Sequence, residues 1–437
     1  GGFLLMHMIT IETLHAAFLR STGACTDTRQ LLTGGLFFAL KGPNFNANAL
    51  ASKALEGGCA FAVVDDPAVA TDDRFLLVPD VLRALQDLGR HHRRSFKIPI
   101  IAITGTNGKT TTKELVHAVL RADRPALATS GNLNNHIGVP LTLLRLTSEH
   151  RIAIIEMGAN KPGDIAELCA IAESTHGLIT NIGRAHLEGF GSYAGVIRTK
   201  TELYEHIRAN KGTLFVNADD PLLMEKSADI ARVTYGSTDK SDLHGAAIAS
   251  SGPFLECRFH VQRTAWSVKT RLIGAYNAPN VLAAACIGLH FDVAPERITQ
   301  ALNAYEPSNN RSQFMDTGRN HVIMDAYNAN PSSMKAALEN FAAMSCELPK
   351  LALLGGMKEL GVHGAQEHQL LVDKAHELGI ETMLVGPEFS AIDAKGFKVF
   401  DDADVALSQL RETPISGHTV LLKGSRGSKL ELIVPVL

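Results

Sequence analysis

The chain has 437 residues, enough for two to four domains. Hydrophobic residues make up 45% and charged residues 20%, a balance that excludes a disordered chain and fits a soluble globular one. A formal net charge of -3 argues against the broad basic surface of a nucleic-acid binder, so an anionic ligand must be held by local groups.

Residues 1–97 read as a first unit. Thr33-Gly34-Gly35 is a turn signal, and Leu36 to Leu40 reads as a buried strand. Ala47 to Glu56 reads as a short helix and Phe61 to Asp65 as a second strand. Arg90-His91-His92-Arg93-Arg94 reads as a solvated helix end, where cations suit the helix dipole. One short cluster on a mildly acidic chain does not make a nucleic-acid patch. Residues 98–308 read as a second unit. The apolar run Ile98 to Ile103 is a strand that feeds a glycine loop and a helix, and Ile152 to Glu156 and Gly177 to Asn181 repeat that pattern. Apolar strands alternating with helices imply a mostly parallel sheet. Thr213 to Thr270 reads as shorter, more polar strands at an antiparallel edge. In the third unit, 309–437, Val322 to Asp325, Leu351 to Leu354 and Thr419 to Leu422 are strand-like and alternate with helices. The expected fold class is α/β in three domains, with a central P-loop domain and a smaller, Rossmann-like C-terminal domain.

The cysteines at 25, 59, 169, 257, 286 and 346 form no CxxC pair. They signal neither zinc nor a disulfide framework, and buried free thiols in a reducing cytoplasm are the expectation. No apolar run approaches the roughly 18 residues of a membrane span. The opening Gly-Gly-Phe-Leu-Leu-Met lacks the basic segment of a signal peptide. The expected setting is therefore cytoplasmic, with no nucleic acid and no membrane span, and the chain is taken as a monomer.

The strongest motif is Thr104-Gly105-Thr106-Asn107-Gly108-Lys109-Thr110-Thr111-Thr112, between a strand and a helix. Glycines let the backbone turn so that successive N–H groups surround phosphate oxygens, and the helix N-terminus favours the anion. The cradle runs from Gly105 to Thr111; Lys109 can reach the outer phosphates and the Thr110 hydroxyl can ligate magnesium. A generic GxxxxGK[ST] loop wants glycine at position 103, which is Ile103. The shorter spacing resembles that of the Mur ligase and folylpolyglutamate synthetase superfamily. Glu156 closes the second strand, where ligands of open α/β sheets gather, and its carboxylate suits a hard cation.

The resemblance extends to further strings. Asn181-Ile182-Gly183-Arg184-Ala185-His186 is similar to the segment whose histidine binds metal in this family, which implies His186 as a ligand although magnesium prefers oxygen. Lys200, on a short helix after it, would by itself read as an exposed lysine. An ammonium cannot ligate a cation; the resemblance implies a carbamate on Lys200 that holds a second magnesium ion. Gly274 to Ala285 resembles the family's HNxxNxxAA helix start, with Tyr276 in place of histidine. Asn277 there can bond adenine, while Asn280 packs the helix. Arg311 lies at the join of the second and third units, and the resemblance implies that it reaches the γ-phosphate. Asp325 ends a strand and can accept ribose hydroxyls.

Four strings resemble the family members that add D-alanyl-D-alanine to UDP-N-acetylmuramoyl-tripeptide. Thr28, Arg29 and Lys41 lie in the first, implied to meet the uridine diphosphate. Asn132, Asn134 and Asn135 lie in the second, implied to meet sugar and peptide. The third is Asp325 to Pro331, and the fourth holds Lys423 and Arg426, implied to take a dipeptide carboxylate. Two departures stand out: Leu354-Gly355-Gly356-Met357 lacks the family's aspartate, and Asn46-Ala47-Asn48 replaces Asp-Gly-His. The implied activity is ATP-dependent amide ligation through an acyl phosphate, with catalytic roles for Lys109, His186, Lys200 and Arg311. A ligase adding the third residue of the muramoyl peptide, or a folylpolyglutamate synthetase, is the related alternative. Neither is expected to carry both the Asn132–Asn135 and Asp325–Pro331 strings. A switch or motor NTPase would show the generic loop and a base-specificity motif.

Overall fold

The computed structural model describes residues 8–183, 187–249, 252–308 and 310–437. Its strands gather into three main sheets that succeed one another along the chain. The first holds Ala24–Cys25, Leu36–Phe38, Phe61–Val64 and Phe75–Leu77, all parallel. Phe37, Phe38 and Val63 are fully buried, so both faces are covered and the strands read as continuous apolar runs. The stretch read as one short helix is a 3-10 turn, Ala47–Leu50, leading into the helix Ala51–Glu56.

The central sheet has nine strands. From Leu243–Ile248 through Arg232–Gly236, Thr213–Asn217, His176–Ile179, Ile100–Thr104 and Ile152–Glu156 to Ala126–Ala128, neighbours are parallel. Phe254–Val261 and Thr264–Ile273 extend it antiparallel. The antiparallel edge was expected, but these two strands are eight and ten residues long rather than short. They read as shorter and more polar because burial alternates: Val268, Thr270 and Leu272 face the core while Ser267, Lys269 and Arg271 face outward. The third sheet orders Gln313–Asp316, His321–Asp325, Thr419–Lys423, Lys350–Gly355, Glu381–Val385 and Lys398–Phe400, parallel except for the first pair.

The helix Val81–Arg94 bridges the first and central sheets, and its basic end corrects one expectation. His92 and Arg93 are only 4% and 8% exposed. Arg93 donates to the carbonyls of Ala172 and Glu173, at the C-terminus of the helix Asp164–Ala172. His92 Nε2 donates to the Leu146 carbonyl at 3.0 Å. These side chains complete backbone groups that helix and loop ends leave open, so two of the cluster's five residues form an interior joint, not a solvated end. Arg94 remains exposed and pairs with Glu173. All six cysteines are free, five of them buried. Among the described residues no helix is long and apolar enough to cross a membrane.

Candidate active site

The glycine loop lies between the strand Ile100–Thr104 and the helix Lys109–Arg121. Gly105 has φ +141° and Gly108 φ +78°, conformations that side chains resist. A Cβ at 105 would stand 2.0 Å from Thr180 Oγ1, and one at 108 would stand 2.9 Å from Asn280 Oδ1. The neighbouring strand end holds the loop. Thr180 Oγ1 donates to the Asn107 carbonyl at 2.6 Å. The Asn181 carboxamide grips the same residue twice, accepting from its N–H and donating to its C=O, both at 3.0 Å. Sequence reasoning gave Thr180 and Asn181 no role; the signal was a polar pair closing an apolar strand.

Lys109 curls over the loop, its Nζ donating to the carbonyls of Gly105 (2.7 Å) and Thr106 (3.0 Å). Burial pushes its amine below the ordinary lysine range, Glu156 opposes that shift, and Arg311 adds to it. The loop opens into a cavity of about 1090 Å³, whose wall also carries Asn132, Asn134, Asn135, Glu156, Asn277, Arg311, Asp325 and Lys423. The cavity therefore joins residues from the central and C-terminal sheets, as expected of ligand sites at the carboxyl ends of parallel strands.

Glu156 is 1% exposed. Its Oε1 accepts from Thr110 Oγ1 at 3.2 Å and Asn134 Nδ2 at 2.8 Å. Its Oε2 is buried without a partner. A buried carboxylate oxygen left unpaired is costly, and a cation beside it would complete the site. Together with the Thr110 hydroxyl this fits a hard, oxygen-seeking ion such as magnesium. Among the described residues no three His, Cys, Asp or Glu side chains cluster at ligating distance. His186 lies outside the described residues.

Lys200 departs from the exposed lysine on a short helix that its own sequence suggests. The helix Tyr193–Ala209 has 17 residues, and Lys200 is 2% exposed on its inner face. Its Nζ sits 5.7 Å from the centre of the Phe190 ring. Burial and then the nearby Lys109 lower its pKa to about 7. It is not among the described residues that line the cavity.

Asn277 is 3% exposed and points inward. Its Nδ2 donates to the Ile273 carbonyl and its Oδ1 accepts from Asn280 Nδ2, both at 2.9 Å. One bond at each end anchors the carboxamide and leaves a second donor and a second acceptor position on a side chain that also lines the cavity. Asn280 also accepts from Thr112 Oγ1, so the pair underpins the phosphate loop.

Arg311 is held between two residues in the left-handed region, Asn310 (φ +56°) and Ser312 (φ +48°). That strained junction turns its side chain into the cavity wall. The guanidinium stacks on Tyr327, 3.7 Å from the ring centre, and its Nε is buried without a partner. Arg426 approaches the same ring at 5.8 Å. Asp325 pairs with Lys423 at 2.8 Å across adjacent parallel strands. Lys423 also donates to the Asn328 carbonyl, so its charge is already compensated, while Arg426 is exposed. Thr28, Arg29 and Lys41 are not on this cavity wall. Arg29 pairs with Asp27 at 2.6 Å and Lys41 with Asp65 at 2.8 Å. Asn46 and Asn48 bond each other, and Asn48 also bonds Asp65. At Gly356 a Cβ would stand 2.4 Å from Glu388 Oε2, so a neighbouring carboxylate fills the space beside the missing aspartate.

Comparison with known proteins decides the family. Residues 103–288 match the Mur ligase middle domain, and residues 310–426 match the Mur ligase, glutamate ligase domain. The chain is 34% identical to the UDP-N-acetylmuramoyl-tripeptide--D-alanyl-D-alanine ligase of Escherichia coli K12, over 97% of this chain and 95% of the relative. The chain belongs to the Mur ligase family. The crystal structure of MurF from Acinetobacter baumannii superposes on this Mur ligase with a TM-score of 0.86 at 31% identity, covering 98% of each chain. MurF from Thermotoga maritima, solved in complex with ADP, superposes with a TM-score of 0.84 at 26% identity, covering 96% of this chain and 97% of the other. The α/β fold in three domains read from the sequence is that of these Mur ligases.

Proposed function

We propose that this Mur ligase joins D-alanyl-D-alanine to UDP-N-acetylmuramoyl-tripeptide at the cost of one ATP. A whole-length relative of that name and two whole-length MurF structures support the reading. The observation that carries the chemistry is one cavity that joins a phosphate loop, the unpaired Glu156 oxygen and the unpaired Arg311 Nε. Residues 98–308 bind ATP, 309–437 close over it, and 1–97 take the uridine diphosphate through Thr28, Arg29 and Lys41.

In the first step a carboxylate oxygen of the tripeptide attacks the γ-phosphorus and the bond to the ADP oxygen breaks. The acyl phosphate and ADP result. The free amine of the dipeptide then attacks the acyl carbon, the C–O bond to phosphate breaks, and the amine loses a proton. The backbone N–H groups of Gly105 to Thr111 hold the phosphates, Lys109 moves from the loop carbonyls to the outer oxygens, and Arg311 meets the transferring group. Asp325 accepts from the ribose. Asn132, Asn134 and Asn135 orient the muramoyl peptide, and Arg426, with Lys423 beside it, faces the dipeptide carboxylate. Walls from two units exclude water from an intermediate that water would destroy. Thr110 and Glu156 would hold magnesium, with His186 and a carbamate on Lys200 at a second ion. Magnesium held there would offset charge on the phosphoryl oxygens. A lysine with a pKa lowered to about 7 has a substantial neutral fraction near neutral pH, and the neutral amine is the form that adds carbon dioxide.

The test is phosphate release with ATP, magnesium and UDP-muramoyl-tripeptide, with each candidate amino donor in turn. Release dependent on D-alanyl-D-alanine is expected. Equal turnover with a single amino acid and UDP-muramoyl-dipeptide would overturn the assignment.

A further inference from the structure

The helix Pro331–Ala343 packs with the third sheet, yet its first turn lies against the phosphate loop of the central one. Asn330, its N-cap, is 7% exposed. Its Oδ1 accepts from the Ser333 N–H at 2.9 Å, and Ser333 Oγ accepts from the Asn330 N–H at 3.1 Å. This reciprocal cap fixes the carboxamide, so Nδ2 can point only one way. It donates to Asn107 Oδ1 at 2.8 Å. Asn107 is itself clamped by Thr180 and Asn181 and lies two residues before Lys109.

The same helix makes two more contacts with the central unit. A Cβ on Gly183 would stand 2.8 Å from Ser332 Oγ, and the Gly183 N–H donates to Thr106 Oγ1 at 2.9 Å. One helix turn therefore abuts the loop at Asn107 directly and at Thr106 through Gly183. Three turns on, Asn340 Oδ1 accepts from the Ala275 N–H at 3.0 Å.

We propose that Asn330 is a positioning residue for the nucleotide phosphates, its bond to Asn107 linking the docking of the C-terminal unit to the shape of the phosphate loop. The inference rests on the reading that this loop binds ATP. A bond to the surrounding scaffold would hold the two units together without touching the loop. This one ends on the loop itself, at Asn107 between the positive-φ glycines Gly105 and Gly108. Linkage is reciprocal: if docking orders the loop for phosphates, ATP favours docking by the same factor.

A double-mutant cycle tests this. Asn330→Ser keeps a good N-cap but has no amide donor, and Asn107→Ala removes the acceptor. Each single variant is expected to lower kcat/KM for ATP about fivefold, the worth of one neutral hydrogen bond. The double variant should be no worse than the poorer single. Asn330→Ser should lower the thermal midpoint by only a few degrees, about the worth of that one bond, and its KM for UDP-muramoyl-tripeptide should stay at the wild-type value. Multiplicative losses, or a wild-type kcat/KM in Asn330→Ser, would overturn the proposal. If Asn330→Ser melts early, Asn330→Asp keeps the cap and the size, lacks the donor, and is judged by the same criterion. Absence of ATP turnover in the wild-type protein would instead remove the reading of the loop.

Discussion

Replacing Glu156 by glutamine isolates one atom of the site. Glutamine keeps an oxygen that can accept from Asn134 and Thr110, the two partners of Oε1. What changes is the unpartnered Oε2 edge, which becomes an amide without charge. If that edge belongs to magnesium, the variant loses the metal-dependent part of ATP binding and little else. Ligand at a hundred times its Kd stabilises a protein by about 2.7 kcal/mol. For a unit of roughly 200 residues each kcal/mol raises the melting temperature by about 2–4 °C, so the wild-type protein should gain about 5–10 °C with magnesium-ATP. In Glu156→Gln that gain should fall to the value seen with ATP and EDTA. The readout is a thermal shift, independent of turnover, and kcat should fall on the order of a hundredfold or more. A full magnesium-dependent shift in Glu156→Gln would refute the reasoning, because the unpaired oxygen would then not be a metal ligand.

Lys200→Ala should lose ligase activity and regain part of it with added short carboxylates such as formate or acetate, assayed by phosphate release. Activity retained without such additives would show that no anionic ligand is needed there. His176 gives a pH test of stability. Burial, then the neighbouring His290, lower its pKa from 6.5 to about 4. The unfolded chain therefore binds the proton first as pH falls, and stability is lost between pH 6.5 and pH 4, by at most about 3 kcal/mol. Urea denaturation at pH 7 and pH 4.5 should show a smaller loss in His176→Gln than in the wild-type protein; equal losses would contradict the assignment.

Much of the fold was legible because its strands are covered on both faces. Ile100–Thr104 and Ile152–Glu156 are buried at every residue, so they appear as plain apolar runs. The half-buried ribbon Phe254–Ile273 was harder, since alternation diluted its apolar signal. In the site, the glycine loop could be read from local spacing, because Gly105 and Gly108 mark its two positive-φ turns. Burial of Lys200 could not, because it depends on how a 17-residue helix packs against the central sheet. The inward partners of Asn277, Ile273 and Asn280, were not legible either, because they depend on how the helix start packs. The Asn107–Asn330 bond spans 223 positions, a distance no local pattern encodes.

The central claim is amide formation through an acyl phosphate, and isotope transfer tests it most directly. UDP-muramoyl-tripeptide carrying ¹⁸O in its reacting carboxylate is turned over with ATP and D-alanyl-D-alanine, and the phosphate is analysed by mass spectrometry. One ¹⁸O atom per phosphate is expected, because the attacking carboxylate oxygen leaves with the phosphoryl group. Phosphate free of ¹⁸O, with amide product formed, would contradict the account.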